Sequence, residues 1–394
     1  MIAWLLISFF VLLFLGVPIA MSLGLSAMGG ILFLGGGSTV TIAQRMFEGM
    51  NSFALLAIPL YTFAGFTMSK GGISKRLMDF CYSIVGHIYG GLAHVNVLSS
   101  MIFAGISGSA VADTAGVSGM FMPEMIRKGY SKNFTVAVTA ISSTIGIIIP
   151  PSIPMVVIAG ICGISTGKLF LGGIIPGILC GLAQMIVSYF LAKKEGVPKE
   201  PGHFTIGPVL HGLWESWPAL LMPIIIVGTI TMGIVSPTEA GVIAVVYGLF
   251  AGGIIYRELK WEDIKFAFAE TVRTSGRIFI VIGAAKLYTV MLTTAGFDKW
   301  VAKTMLGFST NPTVILIMIL LIFFIVTMFM ESIATLTLFM PILYPIALGV
   351  GIDPIVLSVL ITVVIGIGLV TPPVGMCIYV ACDLMDTTVG EVFP

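Results

Sequence analysis

Charge is what this sequence most lacks. No charged side chain occurs before Arg45, and Asp, Glu, Lys and Arg together make up 9% of the 394 residues, where a soluble domain carries roughly 25%. Water cannot solvate so uncharged a surface, so the chain reads as an integral membrane protein. A net charge of +1 leaves no basic footprint for nucleic acid. Cysteine is scarce: Cys81, Cys162, Cys180, Cys377 and Cys382 lie mostly in apolar runs without metal-ligand spacing, and read as packing residues. The four histidines, His87, His94, His203 and His211, likewise have no ligand spacing. No His-Glu-x-x-His stretch, Gly-x-Ser-x-Gly motif or paired His/Asp helix is present, so nothing supplies the nucleophile–base pair or metal cluster an enzyme needs. The uncharged start has no basic n-region and outruns the ~7–15 residues of a signal h-region. It therefore reads as membrane spans, not as a cleavable leader.

What is present is a series of long apolar runs. A span needs roughly 20 apolar residues, so residues 2–36 form two spans joined near Gly16-Val17-Pro18, and 50–69 a third. Residues 78–91, with Asp79, His87 and tyrosines, suit a helix at the membrane interface. Residues 92–126 are apolar, then polar at 107–114, then apolar again. Each arm is too short to cross, so the stretch predicts a re-entrant hairpin with its tip at 107–114. Residues 133–165 are interrupted by Gly146 and Pro150-Pro151 and predict two half-helices meeting at 146–152. Residues 169–192 form a further span, followed by a polar linker from Lys193 to about Gly212.

The pattern then repeats. Residues 217–233 and 238–256 are spans around Pro237, 275–296 matches 50–69, and 312–350 is apolar around Glu331-Ser332. Residues 354–382 are broken at Gly366, Gly368 and Thr371-Pro372-Pro373. The offsets are 219 from Pro18 to Pro237, 218 from Pro123 to Pro341 and 222 from Pro150 to Pro372. Landmarks in one order at a near-constant offset predict a duplicated half. Gly390-Glu391-Val392-Phe393 matches Gly167-Lys168-Leu169-Phe170, which opens the last span of the first half. The expectation is therefore that 383–394 starts a final helix and that a native chain continues for about one more.

Each half has about five crossings, one hairpin and one broken helix, and an odd number of crossings inverts the second half. Basic residues concentrate on the cytoplasmic side of a membrane protein. With a periplasmic N-terminus, that side receives Lys70, Lys75, Arg76, Arg127, Lys128 and Lys132, and also Lys193, Lys194, Lys199, Arg257, Lys260, Lys265 and Arg273, thirteen of the 19 basic residues. Arg45, Lys168, Lys299 and Lys303 fall outside, and Arg277 and Lys286 lie within a span.

Irregular backbone survives at membrane depth only when buried in protein or lining a watery cavity. A pair of Gly/Pro-interrupted segments at corresponding places in two halves points to a transporter's binding site. Broken helices expose unpaired carbonyls at one end and unpaired amides at the other. Carbonyls and hydroxyls suit a small cation; amide ends suit a carboxylate. Candidate cation ligands are Ser107, Ser109, Asp113, Gly146 and Ile149 in the first half, and Glu331, Ser332, Thr335, Gly368 and Thr371 in the second. Ser109, Asp113, Ser152, Thr335 and Pro373 are candidates to meet an anionic substrate. The alternative is that the serines and glycines only let helices pack closely, and that Asp113 caps a helix start. Glu239, after Ser236-Pro237-Thr238, reads as a helix-start residue. Arg277 and Lys286 could attract an anion, or contact a partner subunit or snorkel; the sequence favours the latter.

Gly105-Ile106-Ser107-Gly108-Ser109-Ala110 to Asp113, the small-residue run to Met122-Pro123-Glu124-Met125, Ile149-Pro150-Pro151-Ser152 and Thr371-Pro372-Pro373-Val374-Gly375 together resemble the large, DctM-like membrane subunit of tripartite ATP-independent periplasmic (TRAP) transporters. The resemblance covers essentially the whole chain. It implies sodium-driven import of an organic acid such as a C4-dicarboxylate, keto acid or sialic acid across the bacterial inner membrane, with two or more sodium ions. It also implies a small four-helix membrane subunit and a periplasmic substrate-binding protein as partners. The implied fold is of elevator type, similar to divalent-anion/sodium symporters. Residues 1–91, 169–212 and 213–311 would form the scaffold and its linker, and 92–165 and 312–382 the transport domain. Sodium would sit at Ser107, Ser109, Gly146 and Ile149, and at Glu331, Ser332, Gly368 and Thr371. A stand-alone sodium/anion symporter of the related fold is the rival reading.

Overall fold

The computed structural model describes residues 1–34, 38–197 and 204–392. Lys199 and His203 of the linker, and Phe393 of the last landmark, fall outside those residues. All regular structure among the described residues is helical, as lipid demands of an open chain, because a helix pairs its backbone amides within one segment. Helices α1 (Ile2–Phe14) and α2 (Ile19–Leu34) part at Gly16, which adopts φ +82°, and Pro18. Next comes α3 (Thr39–Met50), with none of its side chains buried; the hydropathy reading contains no helix here. A short 3-10 turn, Phe53–Leu56, leads into α4 (Ala57–Lys70). Helix α5 (Ile73–Val85) begins earlier than the expected interfacial helix at 78. Ile73, Leu77, Phe80 and Cys81 are buried along it.

The expected hairpin is α6 (Gly91–Ser107), a break at Gly108-Ser109, then α7 (Ala110–Asp113), a wide π turn (Thr114–Ser118) and α8 (Gly119–Arg127). Helix α6 packs against both the π turn and α8. The expected broken helix is α9 (Lys132–Ser143), a 3-10 turn (Thr144–Ile147) and α10 (Ile153–Cys162). Then follow α11 (Thr166–Lys194) and α12 (Ile206–Thr231), whose start shortens the linker expected to reach Gly212. Helix α13 (Pro237–Phe250) opens with a capping box between Ser236 and Glu239, so Glu239 is the helix-start residue the sequence indicates. Helix α14 (Trp261–Thr294) is 34 residues long and begins well before the expected 275. After α15 (Phe297–Phe308), the second broken set comprises α16 (Pro312–Thr327), α17 (Ser332–Gly349), α18 (Pro354–Gly368) and α19 (Met376–Leu384); α20 (Val389–Val392) closes the described chain.

Six helical segments among the described residues are long and apolar enough to cross a membrane. Phe14, Ile175, Trp214, Ile224 and Phe308 are exposed on the outside, the inverse of a water-soluble surface. Lipid tails are as apolar as leucine, so close packing and interhelical hydrogen bonds hold such helices together. Tyr288 of α14, for example, is buried and donates its hydroxyl to the Leu5 carbonyl of α1 at 2.9 Å. Two cations of the first half meet residues of the second. Arg76 pairs with Glu258 at 2.6 Å and lies over the Tyr256 ring, while Lys70 lies over Phe266.

Candidate functional site

Helix α6 stops at Ser107 because Gly108 takes the left-handed φ of +63°. Ser109 is extended, and its Oγ caps α7 by accepting the Ala112 amide at 3.4 Å. Facing this tip is the break between α9 and α10. There Ser152 caps α10, accepting the Met155 amide at 3.3 Å and donating to the Ile147 carbonyl at 2.5 Å. Tip and break are joined directly: the Ile153 amide donates to the Gly108 carbonyl at 3.1 Å. A Cβ on Gly108 would sit 2.6 Å from the Pro151 carbonyl oxygen, and one on Gly146 would sit 3.3 Å from the Ser109 carbonyl oxygen. At Gly108 only bare backbone allows this approach.

The second half builds the same joint. Helix α16 ends at Thr327, and Glu331 caps α17, its carboxylate accepting the amides of Ile333 at 2.8 Å and Ala334 at 3.2 Å and the Ser332 hydroxyl at 2.7 Å. Helix α18 ends at Gly368, where a Cβ would crowd the Thr327 hydroxyl and lie 2.6 Å from Thr327 Cβ. The Val374 amide donates to the Met328 carbonyl at 3.0 Å. The two acceptors, Gly108 and Met328, are 220 apart in sequence, and the two donors, Ile153 and Val374, are 221 apart.

Both joints border one cavity of about 610 Å³. Its walls include the first tip from Ser107 to Ala112, the second from Glu331 to Ala334, and Ile147, Ile153, Leu369 and Met376 beside the breaks. The other wall is made by α4, with Thr62, Ser69 and Lys70, and by α14, with Phe266, Glu270, Thr274, Arg277 and Val281. Of the expected site residues, Ser107, Ser109, Glu331 and Ser332 line the cavity. Ser107 Oγ is buried without a hydrogen-bond partner.

Other expected residues lie off the lining. Asp113 is fully buried beside Thr114, whose hydroxyl meets Ser143 Oγ at 2.5 Å. Ser152 and Thr335 are fully buried; Ser152 is engaged at its own break, and Thr335 donates to the Glu331 carbonyl at 3.1 Å. Pro373 is exposed. Gly146 and Gly368 are contact points of the joints. Ile149 packs toward Gly177 of α11, and Thr371 donates to the Ile367 carbonyl at 2.7 Å. Sequence reasoning missed the α4–α14 wall apart from Arg277, for which it left anion attraction open but favoured a partner contact or snorkelling; Arg277 lines the cavity. The signal available was its position inside an apolar span. Lys286 does sit at a helix contact, its stem against Gly49 of α3.

Comparison with known proteins places this geometry. The family model described as "Tripartite ATP-independent periplasmic transporter, DctM component" matches residues 6–394. The chain belongs to the DctM family. Such a DctM chain is a multi-pass transporter permease, not an enzyme. It is 37% identical over 384 residues to the isethionate TRAP transporter permease protein DctMQ of Oleidesulfovibrio alaskensis, covering 98% of this chain and 60% of that protein. The chain therefore spans less than two thirds of that relative's length. It is 36% identical to the sialic acid TRAP transporter large permease protein SiaM of Vibrio cholerae (95% of this chain, 88% of that protein). Against the C4-dicarboxylate large permease DctM of Pseudomonas aeruginosa the identity is also 36% (94% and 86%). Among solved structures, Neisseria gonorrhoeae MtrF aligns with a TM-score of 0.59 at 14% identity (90% of this chain, 79% of that chain). Alcanivorax borkumensis YdaH aligns with a TM-score of 0.59 at 13% identity (89% and 82%). At that identity the likeness is one of fold. This chain thus shares an overall helical arrangement with both.

Proposed function

We propose that this chain is the large permease subunit of a sodium-coupled, binding-protein-dependent importer of an organic acid in the bacterial inner membrane. The observation that carries the reading is the pair of matched joints bordering one cavity. Each is a helix tip docked on a helix break through a single backbone hydrogen bond, at one sequence offset. In this reading the halves are inverted repeats, the tips belong to re-entrant hairpins, and the N-terminus is periplasmic. The meeting of Arg76, Glu258, Lys70 and Phe266 at one end supports a common cytoplasmic face. In this reading the cavity, which reaches Lys70 and Glu270 at that end, is an inward-open one.

Sodium is co-substrate in this scheme. It is a hard cation that takes oxygen ligands, as its divalent counterparts do. The orphaned Ser107 hydroxyl, the Ser109 carbonyl beside Gly146 and the oxygens around Glu331 and Ser332 are donors of that kind. No cluster of three or more His, Cys, Asp or Glu that could hold a metal occurs among the described residues, so the donor set suits sodium better than a transition metal. Ordering the tips by sodium would complete the acid's site. The transport domain of 92–165 and 312–382 would then slide against the remaining helices as an elevator. A small four-helix subunit and a periplasmic binding protein, the partners this family's tripartite name implies, would complete the system.

The test is reconstitution in vesicles with the small subunit and the cognate binding protein. Uptake of one acid from a panel should require an inward sodium gradient and the binding protein. Uptake that proceeds without both would overturn the reading.

A further inference from the structure

The charges lining the cavity are Lys70, Glu270, Arg277 and Glu331. Three of them are engaged. Lys70 lies 4.7 Å from the Phe266 ring centroid, a cation–π distance. Glu270 pairs with Arg273 at 2.5 Å. Glu331 receives two amides and a hydroxyl. Arg277 is exposed to the cavity and has no ion pair among the described residues.

A guanidinium within an apolar span is costly, and it marks a substrate path unless a partner or the interface accounts for it. Neither does here. Phe266, Glu270, Thr274, Arg277 and Val281 follow the spacing of one helical stripe, and all of them line the cavity, so Arg277 faces away from lipid. It stands on α14, in the wall that carries neither tip nor break. Its planar fork matches a carboxylate or sulfonate in two parallel hydrogen bonds.

We infer that Arg277 is the binding residue for the anionic group of the cargo, and that it acts from the α14 wall in the inward-open state. The inference rests on the reading of the protein as an acid carrier. Cargo leaving the tips meets this one unengaged cation, so Arg277 sets the affinity of the inward-facing site and its preference for acids over neutral analogues.

The full-length permease in detergent with sodium is titrated with N-acetylneuraminate, succinate, 2,3-diketo-L-gulonate and isethionate, reading the thermal midpoint. At least one acid should raise the midpoint of the unaltered protein. Arg277→Gln, with an unchanged midpoint in the absence of acid, should need at least tenfold more acid for the same shift, and Arg277→Lys should fall between. Equal titrations of Arg277→Gln and the unaltered protein overturn the assignment and leave the acid-carrier reading standing. A lack of response to all four acids in the unaltered protein overturns that reading and the role of Arg277 with it. If Arg277→Gln does not fold, Arg277→Lys decides: an acid affinity equal to that of arginine overturns the assignment.

Discussion

The amide of Ile153 is held by the carbonyl of Gly108 at 3.1 Å, so the first residue of α10 and the residue that ends α6 share one hydrogen bond across the first joint. Gly108 makes this contact at φ +63° with the Pro151 carbonyl where its Cβ would be. Gly108→Ala faces both strain and collision. We expect it to destabilise the permease by about 1–3 kcal/mol, the range for a residue forced into sparsely populated backbone space, and to abolish uptake. The measurement is a thermal melt in detergent beside vesicle uptake; a variant with unaltered melting and transport would show that the joint is not tight.

Gly368 presents the same problem from the other side, because what it meets is a side chain. Its Cβ would lie 2.6 Å from Thr327 Cβ. Gly368→Ala should lower both stability and uptake, and adding Thr327→Gly should restore part of each by making room. Residues in contact are where single effects fail to add, by about 0.5–3 kcal/mol. Strict additivity in the four-member cycle would refute the predicted contact.

The four breaks were legible in the sequence because glycine, proline and small hydroxyl residues interrupt otherwise uncharged runs, and each of those residue types ends or starts helices for a known reason. Ser109, Ser152 and Glu331 all cap helices that begin at these places. The start of α14 was not legible: Glu262, Asp263, Lys265, Glu270 and Arg273 depress hydropathy without breaking a helix. Helix α3 escaped for the same reason, with Arg45 and Glu48 in a twelve-residue segment. Nor could rotation about a helix axis be read. Asp113 lies four residues after Ser109, yet Ser109 borders the cavity and Asp113 is buried away from its lining. Arg277 is the converse case, since the stripe of α14 that faces the cavity depends on where α4 and α17 pack against it.

Behind the first tip, Asn96 of α6 is fully buried between two residues of α9. Its Nδ2 donates to Thr139 Oγ1 at 3.0 Å and its Oδ1 accepts from Ser142 Oγ at 3.1 Å. Asn96→Leu takes away the donor to Thr139 Oγ1 and leaves Ser142 Oγ only the Thr139 carbonyl at 3.1 Å, and should cost about 1 kcal/mol, at the low end for a lost buried partner because membrane hydrogen bonds average only about 0.6 kcal/mol. Asn96→Leu with Thr139→Val, apolar on both sides, should recover part of that loss. Thermal midpoints of the four proteins check it; an Asn96→Leu variant as stable as the parent would show that this network does not clamp α6 to α9.

Glu331 has two duties that substitution can separate. As a cap it supplies acceptors to the amides of Ile333 and Ala334; as a carboxylate beside Ser332 in the cavity wall it offers charge to a cation. Glu331→Ala removes both and should cost about 1–2 kcal/mol as a lost N-cap. Glu331→Gln keeps a carbonyl oxygen for the amides and replaces the acceptor of the Ser332 hydroxyl by an NH2 that can donate to that hydroxyl, so the charge is lost while its melt should stay nearer the parent's than that of Glu331→Ala. If the carboxylate also helps hold sodium, Glu331→Gln should raise the sodium concentration for half-maximal uptake several-fold. Uptake and melting are therefore measured on both variants across a sodium series. A Glu331→Gln protein with unaltered sodium dependence would reduce this residue to a helix cap and move the second cation's ligands to the hydroxyls and carbonyls around Ser332, Gly368 and Thr371.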